Sequence, residues 1–206
     1  MTAKLALGSR TRRKFRRAFQ VGVFIFLVVL SIGFLISTPP VQRGIFYPFR
    51  YRDTVEFYSA KYRVDKYLAI AVMKNESNFA SSAISHSGAV GLMQIMPETA
   101  DWIASQLDAQ SRQDEEFAFN VKQLYDPETN IRYGIWYLST LEEEFDGNDV
   151  LALAAYNAGR GTVRHWMEKY GWSRSFDDVS AIPYRETREY VRRVLNCRVK
   201  YRLFYG

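Results

Sequence analysis

One glutamate sits where a glutamate is costly. In Ala69-Ile70-Ala71-Val72-Met73-Lys74-Asn75-Glu76-Ser77-Asn78-Phe79, read as a helix from about Asp65, Leu68, Val72 and Glu76 recur at i, i+4 and i+8 and share one stripe. The stripe is otherwise apolar and so faces a core, yet it ends in a carboxylic acid. An apolar pocket favours the neutral form of a carboxyl group and raises its pKa. Such a group can deliver a proton near neutral pH, which is what a general acid in sugar-bond cleavage must do. The plain alternative is a glutamate that frays into solvent at a helix end. A second segment follows closely, Gly88-Ala89-Val90-Gly91-Leu92-Met93-Gln94-Ile95-Met96-Pro97. Its Gly91 suits a turn with an unusual backbone angle, and Leu92 and Ile95 read as core.

The elements that must position these residues are helical. From Asp53 onward helical periods dominate and no alternating strand pattern emerges. Helices are expected over Asp53 to Tyr62 and Asp65 to Ser77, with a break near Arg63. Pro97 opens another to about Leu107, with proline and acids in its first turn. Asp126-Pro127-Glu128 repeats that opening for a long helix to about Phe145, whose apolar face is Ile131, Ile135, Leu138 and Leu141 or Glu142. Asn148 or Asp149 can cap Val150 to Ala158, which Gly159 closes. A last helix is expected from about Arg185 to Phe204, with loops over Ser81 to Val90 and Ser173 to Pro183.

Charge is distributed unevenly. The net charge of +6 invites a nucleic-acid reading, but seven bases (Lys4, Arg10, Arg12, Arg13, Lys14, Arg16, Arg17) and no acid lie within residues 1–17. Removing those seven from 28 leaves 21 Lys and Arg against 22 Asp and Glu, a net of −1, so no nucleic-acid partner is expected. Residues 18–38 form a 21-residue segment without a formal charge. That matches the roughly 20 residues a helix needs to span a bilayer. The basic flank places the N-terminus on the cytoplasmic side of a membrane and the remainder outside. A cleaved signal peptide is the competing reading; the length of the run and the lack of a small-x-small site before Pro39-Pro40 favour an uncleaved anchor. The expected organisation is a basic cytoplasmic tail (1–17), a signal-anchor helix (18–38), a juxtamembrane linker (39–52) and one folded domain (53–206).

Other chemistries find little support. Cys197 is the only cysteine, which rules out an intramolecular disulfide, and its place in a periodic Arg-rich helix suits packing. His86 and His165 lack a Cys, Asp or Glu at ligand spacing, so no metal and no cofactor are expected. Arg192, Arg193, Arg198, Lys200 and Arg202 read as a mostly solvated helix face.

Four segments in order carry a family resemblance: Glu76-Ser77-Asn78-Phe79, Gly88 to Pro97, Ala154-Ala155-Tyr156-Asn157-Ala158-Gly159, and Ile182-Pro183-Tyr184-Arg185-Glu186 through Tyr190-Val191. Together they resemble the lytic transglycosylases of the soluble-lytic-transglycosylase type, a lysozyme-like superfamily acting on peptidoglycan, over about residues 53–205. The resemblance implies an all-α, lysozyme-like domain behind the single N-terminal transmembrane helix. It implies that Glu76 is the single acid/base cleaving the MurNAc-β-1,4-GlcNAc bond to leave a 1,6-anhydroMurNAc end. Ser77, Met93, Gln94, Tyr156, Asn157 and Tyr190 fall on positions that line the glycan cleft in similar enzymes, and Glu186 on a supporting acidic position. Glycosidases usually need a second carboxylate, about 5 Å away when they retain configuration, but substrate-assisted chemistry is a known exception. Two alternatives remain at this point. A hydrolytic muramidase similar to goose-type lysozyme would need a water-positioning carboxylate, with Glu98, Asp101 and Glu186 as candidates. A non-catalytic glycan-binding scaffold would keep the cleft without turnover.

Overall fold

The computed structural model describes residues 3–111 and 119–206; residues 1–2 of the expected basic tail, and the side chains of its Lys4 and Arg10, lie outside the described residues. The chain divides into two units, Met1–Pro48 and Phe49–Gly206. In the first, one helix, α1 (Ala3–Ser37), runs without interruption through the basic and the apolar segments. Its stretch Arg12–Ser37, 26 residues containing an 18-residue window with a mean hydropathy of 2.7, is long and apolar enough to cross a membrane. Pro39 and Pro40 begin the expected linker, and proline commonly interrupts regular structure. Instead they open a helical turn, α2 (Pro39–Val41), that widens into a π turn over Gln42–Phe46. Position explains the difference, because proline's fixed φ suits a first turn, where its missing N–H has no partner to lose.

The second unit is built from α3 (Arg52–Tyr62), α4 (Lys66–Ser77), α5 (Pro97–Ser111), α6 (Pro127–Glu144), α7 (Asp149–Ala158), α8 (Arg160–Tyr170) and α9 (Arg185–Tyr205), with 3₁₀ turns at Val121–Tyr125 and Val179–Ala181. Among the described residues, extended pairing is limited to two isolated antiparallel bridges, Ile84 with Val90 and Val90 with Ile95. The all-α expectation holds.

Helix α4 is the centre of the unit. Six consecutive residues, Leu68 to Met73, are 0% exposed, and a helix apolar on every side has no solvent face. It packs against α3 and along α9, while α6 contacts α3, α5 and α7, and α7 contacts α8 and α9. Local chemistry sets the boundaries. Asp65 caps α4 through the Tyr67 N–H at 2.9 Å. Asp126 caps α6 through the Thr129 N–H at 2.8 Å, with Pro127 in the first turn. Of the two candidates for α7, Asn148 is the cap, accepting from the Leu151 N–H at 3.0 Å. Arg63 takes a left-handed conformation, which ends α3 where the break was expected. Of the residues left open at the end of the α6 face, Leu141 is fully buried and Glu142 half-buried.

Helix α8 was not anticipated. Its buried face is only Val163 and Trp166, and it begins at Arg160-Gly161 directly after Gly159, a run that reads as a terminator. Gly159 ends α7 with a φ of 90° and serves at once as the residue before α8, so one glycine turns the chain between two helices.

Candidate active site

Glu76 occupies the last turn of α4, directly below the six fully buried residues. Its side chain keeps a partial opening to solvent. Burial pushes its pKa up to about 7, against smaller opposing contributions from the Tyr190 hydroxyl and the Arg193 guanidinium. The C-terminal end of a helix carries partial negative charge, which also disfavours an anion there. At pH 7 a carboxyl with this pKa is about half protonated, on the order of 100-fold more than an unperturbed glutamate. Besides burial, Tyr190 and Arg193 are the contributors to its shift; Glu98, Asp101 and Glu186 are exposed and not among them.

The backbone around Glu76 is unusual. Asn78 and Phe79 both have positive φ, 49° and 69°, as does Gln94 at 49°. Left-handed conformations cost a bulky L-residue energy and persist only where surroundings hold them. Here Phe79 is buried, 5% exposed, with the cations of Arg50 and Lys74 within 6.0 Å of its ring.

Asn130, from the first turns of α6, organises the turn at 90–95. It is 0% exposed, accepts from the Met93 N–H at 2.7 Å, and donates to the carbonyls of Val90 and Leu124, each at 2.9 Å. Gly91 is required twice over. Its φ is +81°, and a Cβ there would lie 2.1 Å from the Asn130 amide nitrogen and 2.5 Å from the Leu124 oxygen. The Ser77 hydroxyl joins this turn to α4 by donating to the Leu92 carbonyl at 2.7 Å. Tyr156, at the end of α7, donates to the Met93 carbonyl at 2.7 Å. Three helices therefore hold one loop beside the helix end that carries Glu76. Tyr156→Phe removes one of these fastenings, and a fall in stability of about 1 kcal/mol, or about 2–4 °C in thermal melting, is expected.

The residues expected to line a cleft fall into two groups. Gln94, Tyr156 and Asn157 line a cavity of about 260 Å³ together with Met96, Thr99 and Tyr137. The Gln94 amide nitrogen donates to the Gly91 and Ala83 carbonyls at 2.9 and 3.2 Å, which orients the amide. Asn157 also lines a second cavity of about 520 Å³ with Tyr184 and Glu186, so Asn157 joins the two. Glu186 is exposed there, in the first turn of α9. Met93, Ser77 and Tyr190 are placed differently. Met93 is 0% exposed, its sulfur packed where a Cβ on Gly134 would sit, so its side chain offers no surface to a ligand and its contribution is backbone. The Ser77 hydroxyl proton is committed to the loop carbonyl. Tyr190 is 3% exposed, with a buried hydroxyl that lacks a hydrogen bond of full geometry. That hydroxyl nevertheless lies close enough to Glu76 for each to shift the other, and its own pKa is raised well above the usual tyrosine value by burial and the Glu76 charge. Glu76 itself is not in the lining of either cavity; Tyr156, whose pKa is also raised by burial and the Glu76 charge, connects it to the first.

Sequence reasoning missed three contributors. Asn130 read as one polar residue on a helix, and only the approach of a distant loop reveals its use. Tyr137 lines the cavity and lies 5.5 Å from the Tyr156 ring. Arg193 was assigned to a solvated face; it is exposed, yet its charge reaches Glu76. Among the described residues no group of three His, Cys, Asp or Glu is arranged to hold a metal ion. Cys197 is buried, and burial pushes its thiol up to about 11, which leaves it unreactive at neutral pH.

Known proteins resemble this chain over most of its length. Residues 53–178 match the family model described as Transglycosylase SLT domain. The chain is 36% identical over 161 residues to the soluble lytic murein transglycosylase of Escherichia coli strain K12, an alignment covering 78% of this chain and 24% of that protein. It is 30% identical over 173 residues to the membrane-bound lytic murein transglycosylase C of Sodalis glossinidius, covering 74% and 47% respectively. Among solved structures, the 70 kDa soluble lytic transglycosylase of Escherichia coli is similar with a TM-score of 0.67 at 36% identity, covering 77% of this chain and 25% of that one. An inactive mutant of the lytic transglycosylase Slt of Pseudomonas aeruginosa, glutamate replaced by glutamine, is similar with a TM-score of 0.62 at 33% identity, covering 76% and 24%. The chain thus spans about a quarter of the length of the soluble relatives and under half of the membrane-bound one.

Proposed function

The chain belongs to the transglycosylase SLT domain family, and from that premise we propose that it is a peptidoglycan lytic transglycosylase in which Glu76 is the one acid/base. The observation that carries the reading is a carboxyl group buried at the end of a buried helix, its pKa pushed up to about 7 by that burial, with no other carboxylate among the groups that shift it. A protonated Glu76 gives its proton to the glycosidic oxygen between MurNAc and GlcNAc as that bond breaks. The resulting carboxylate then takes the proton of the muramyl 6-hydroxyl, whose oxygen closes on the anomeric carbon as a 1,6-anhydro ring. Atoms balance without water, and Glu76 ends protonated as it began. The substrate's acetamido group supplies what a second carboxylate supplies elsewhere. The inactive glutamate-to-glutamine mutant of the Pseudomonas relative supports the need for one glutamate in this family.

Other residues follow as roles in the same proposal. Gln94, Tyr156 and Asn157 bind the glycan; Ser77 and the Met93 backbone hold the loop; the Tyr190 hydroxyl bears on the Glu76 carboxyl; and Glu186 supports the second cavity. Residues 1–17 form a cytoplasmic tail, 18–38 the anchor, 39–52 the connection and 53–206 the catalytic domain on the outer side of the membrane. The apolar helix and the membrane-bound relative support anchoring, and the basic flank supports this orientation.

Two measurements test the proposal. Mass analysis of the products from peptidoglycan is expected to show muropeptides one water lighter than hydrolysis products; products carrying that water would move the protein to the muramidases. Turnover of a soluble glycan fragment is also expected to depend on pH. The acid form of Glu76 is needed first, so kcat/KM falls about tenfold per pH unit above about 7. A rate that stays flat to pH 9 would remove Glu76 as the acid.

A further inference from the structure

Helix α9 ends in a face that the chemistry above does not use. Its buried side includes Tyr190, Val194, Cys197 and Tyr201. The opposite side carries Arg192, Asn196, Val199 and Leu203, at steps of four, three and four residues, which is one stripe of a helix. Val199 is 65% exposed and Leu203 71%, two large apolar side chains one turn apart in solvent. The charge around them has one sign, because no Asp or Glu occurs between Tyr190 and Gly206. Arg198 and Arg202 are held by Asp65, and Arg198 also by Asp149. Arg192 and Lys200 are exposed and form no ion pair among the described residues. Apolar side chains flanked by unpaired bases suit a membrane interface: the apolar groups enter the headgroup boundary while the bases meet anionic lipid.

Chain connectivity names the occupant. The folded unit begins at Phe49, whose ring packs edge-on against Tyr205 at 5.3 Å and Tyr201 at 6.0 Å, in the last turns of α9. Only residues 39–48 separate Phe49 from the uncharged apolar segment that ends at residue 38. Fully extended, that connection reaches about 35 Å. The last turns of α9 therefore lie where the tether enters the folded unit, within reach of the bilayer that the apolar segment would occupy. Helices α4 and α9 run antiparallel. Asp65, at the start of α4, meets Arg198 and Arg202 near the end of α9, whereas Glu76, at the far end of α4, lies near Tyr190 in the second turn of α9. From Asp65 to Glu76 the helix rises about 17 Å.

We propose that the C-terminal face of α9, Val199 and Leu203 with Arg192 and Lys200, docks on the anionic surface of the membrane that holds the apolar helix, and so fixes the height of Glu76 above the lipid. This rests on the membrane anchor proposed above and not on the transglycosylase reaction.

The test uses the full chain reconstituted in vesicles of phosphatidylcholine, alone or mixed with phosphatidylglycerol. A fluorophore is placed on Asn196→Cys, within the stripe, or on Ser82→Cys, an exposed position in the loop beyond the Glu76 end of α4. Cys197 is buried and stays unlabelled. Lipids with a spin label on the headgroup quench a fluorophore that lies at the surface. On the mixed vesicles, quenching at residue 196 is expected to exceed quenching at residue 82 by about threefold. The ratio should fall by at least about half on phosphatidylcholine alone, with Val199→Ser and Leu203→Ser together, and with Arg192→Gln and Lys200→Gln together. Flotation with the vesicles after a high-salt wash reads the anchor separately. A ratio near one in a chain that floats, or a ratio that survives both pairs of substitutions, would overturn the docking face and leave the anchor standing. Shielding of residue 196 that grows with protein density, without quenching by lipid, would give the face to a second copy of the chain and overturn the proposal too. A chain that fails to float would overturn the anchor, and the docking face with it.

Discussion

Glu76→Gln is expected to lower turnover of peptidoglycan by at least about a thousandfold while leaving glycan binding within a few-fold of the unaltered chain. Glutamine has nearly the same shape and keeps hydrogen-bonding capacity, but it holds no transferable proton; acid–base groups typically contribute factors of about 10²–10⁴. Both proposed steps run through this one carboxyl, so the larger end of that range applies. A second readout separates the acid from a merely structural glutamate. The folded-state pKa of Glu76 is raised from 4.5 to about 7, so the folded chain binds more protons than the unfolded one between those values. Stability therefore declines as pH rises through that window, and the full cost of the buried charge is present above it, up to about 3 kcal/mol. Glutamine removes that cost. The variant should melt at the same temperature as the parent near pH 4.5 and at a higher one at pH 8. A lower melting temperature at pH 8, together with retained cleavage, would sink the assignment. Glu142 adds a separate pH dependence, because burial and the charges of Asp149 and Asp65 raise its pKa to about 7 as well, and that contribution is common to both proteins.

Asn130→Ala should have the largest effect on stability of any substitution outside the apolar core. It leaves the Met93 N–H and the Val90 and Leu124 carbonyls without their partner in a fully buried place. Each unsatisfied buried group costs about 1–3 kcal/mol, and three that share one site sum to less than their total, on the order of 3–5 kcal/mol. Thermal melting should fall by on the order of 10 °C, and turnover by at least tenfold at a temperature where the variant remains folded, because the loop beside Glu76 loses its fastening. Asn130→Asp sharpens the test. It keeps the acceptor for the Met93 N–H but turns a charged oxygen toward two carbonyls. Protonation restores one donor, so the aspartate variant should gain more stability as pH falls than the alanine variant, which keeps only the contributions of Glu76 and Glu142. Equal behaviour of the two across pH would mean that the amide hydrogen bonds are not what holds the loop.

The helical class and most boundaries were legible because they depend on neighbours in sequence. Asp65, Asp126 and Asn148 cap backbone groups two or three residues away, and the Leu68 to Met73 run needs no partner to reveal that it is buried. Glu76 was legible for the same reason: its place at the end of an apolar stripe is a local pattern, and the burial it implied is the main cause of its raised pKa. Helix α8 escaped because it turns only Val163 and Trp166 inward, too few to set a period after a glycine pair.

The division of labour around Glu76 was a different matter. Family resemblance grouped Ser77, Met93 and Tyr190 with the cleft lining, while their side chains are spent inward, on a loop carbonyl, on Gly134 and near the Glu76 carboxyl. The Asn130 contacts join residues up to 40 apart in the chain, and the Arg160–Trp102 pair joins α8 to α5. A polar side chain's use depends on which groups come within about 3 Å of it. The sequence by itself therefore determined most of the helices, the apolar N-terminal segment and the buried place of Glu76, each set by local composition and spacing. The tertiary structure alone decided which neighbours Glu76 has and which loop is fastened to the end of its helix, because those contacts exist only once distant segments have packed.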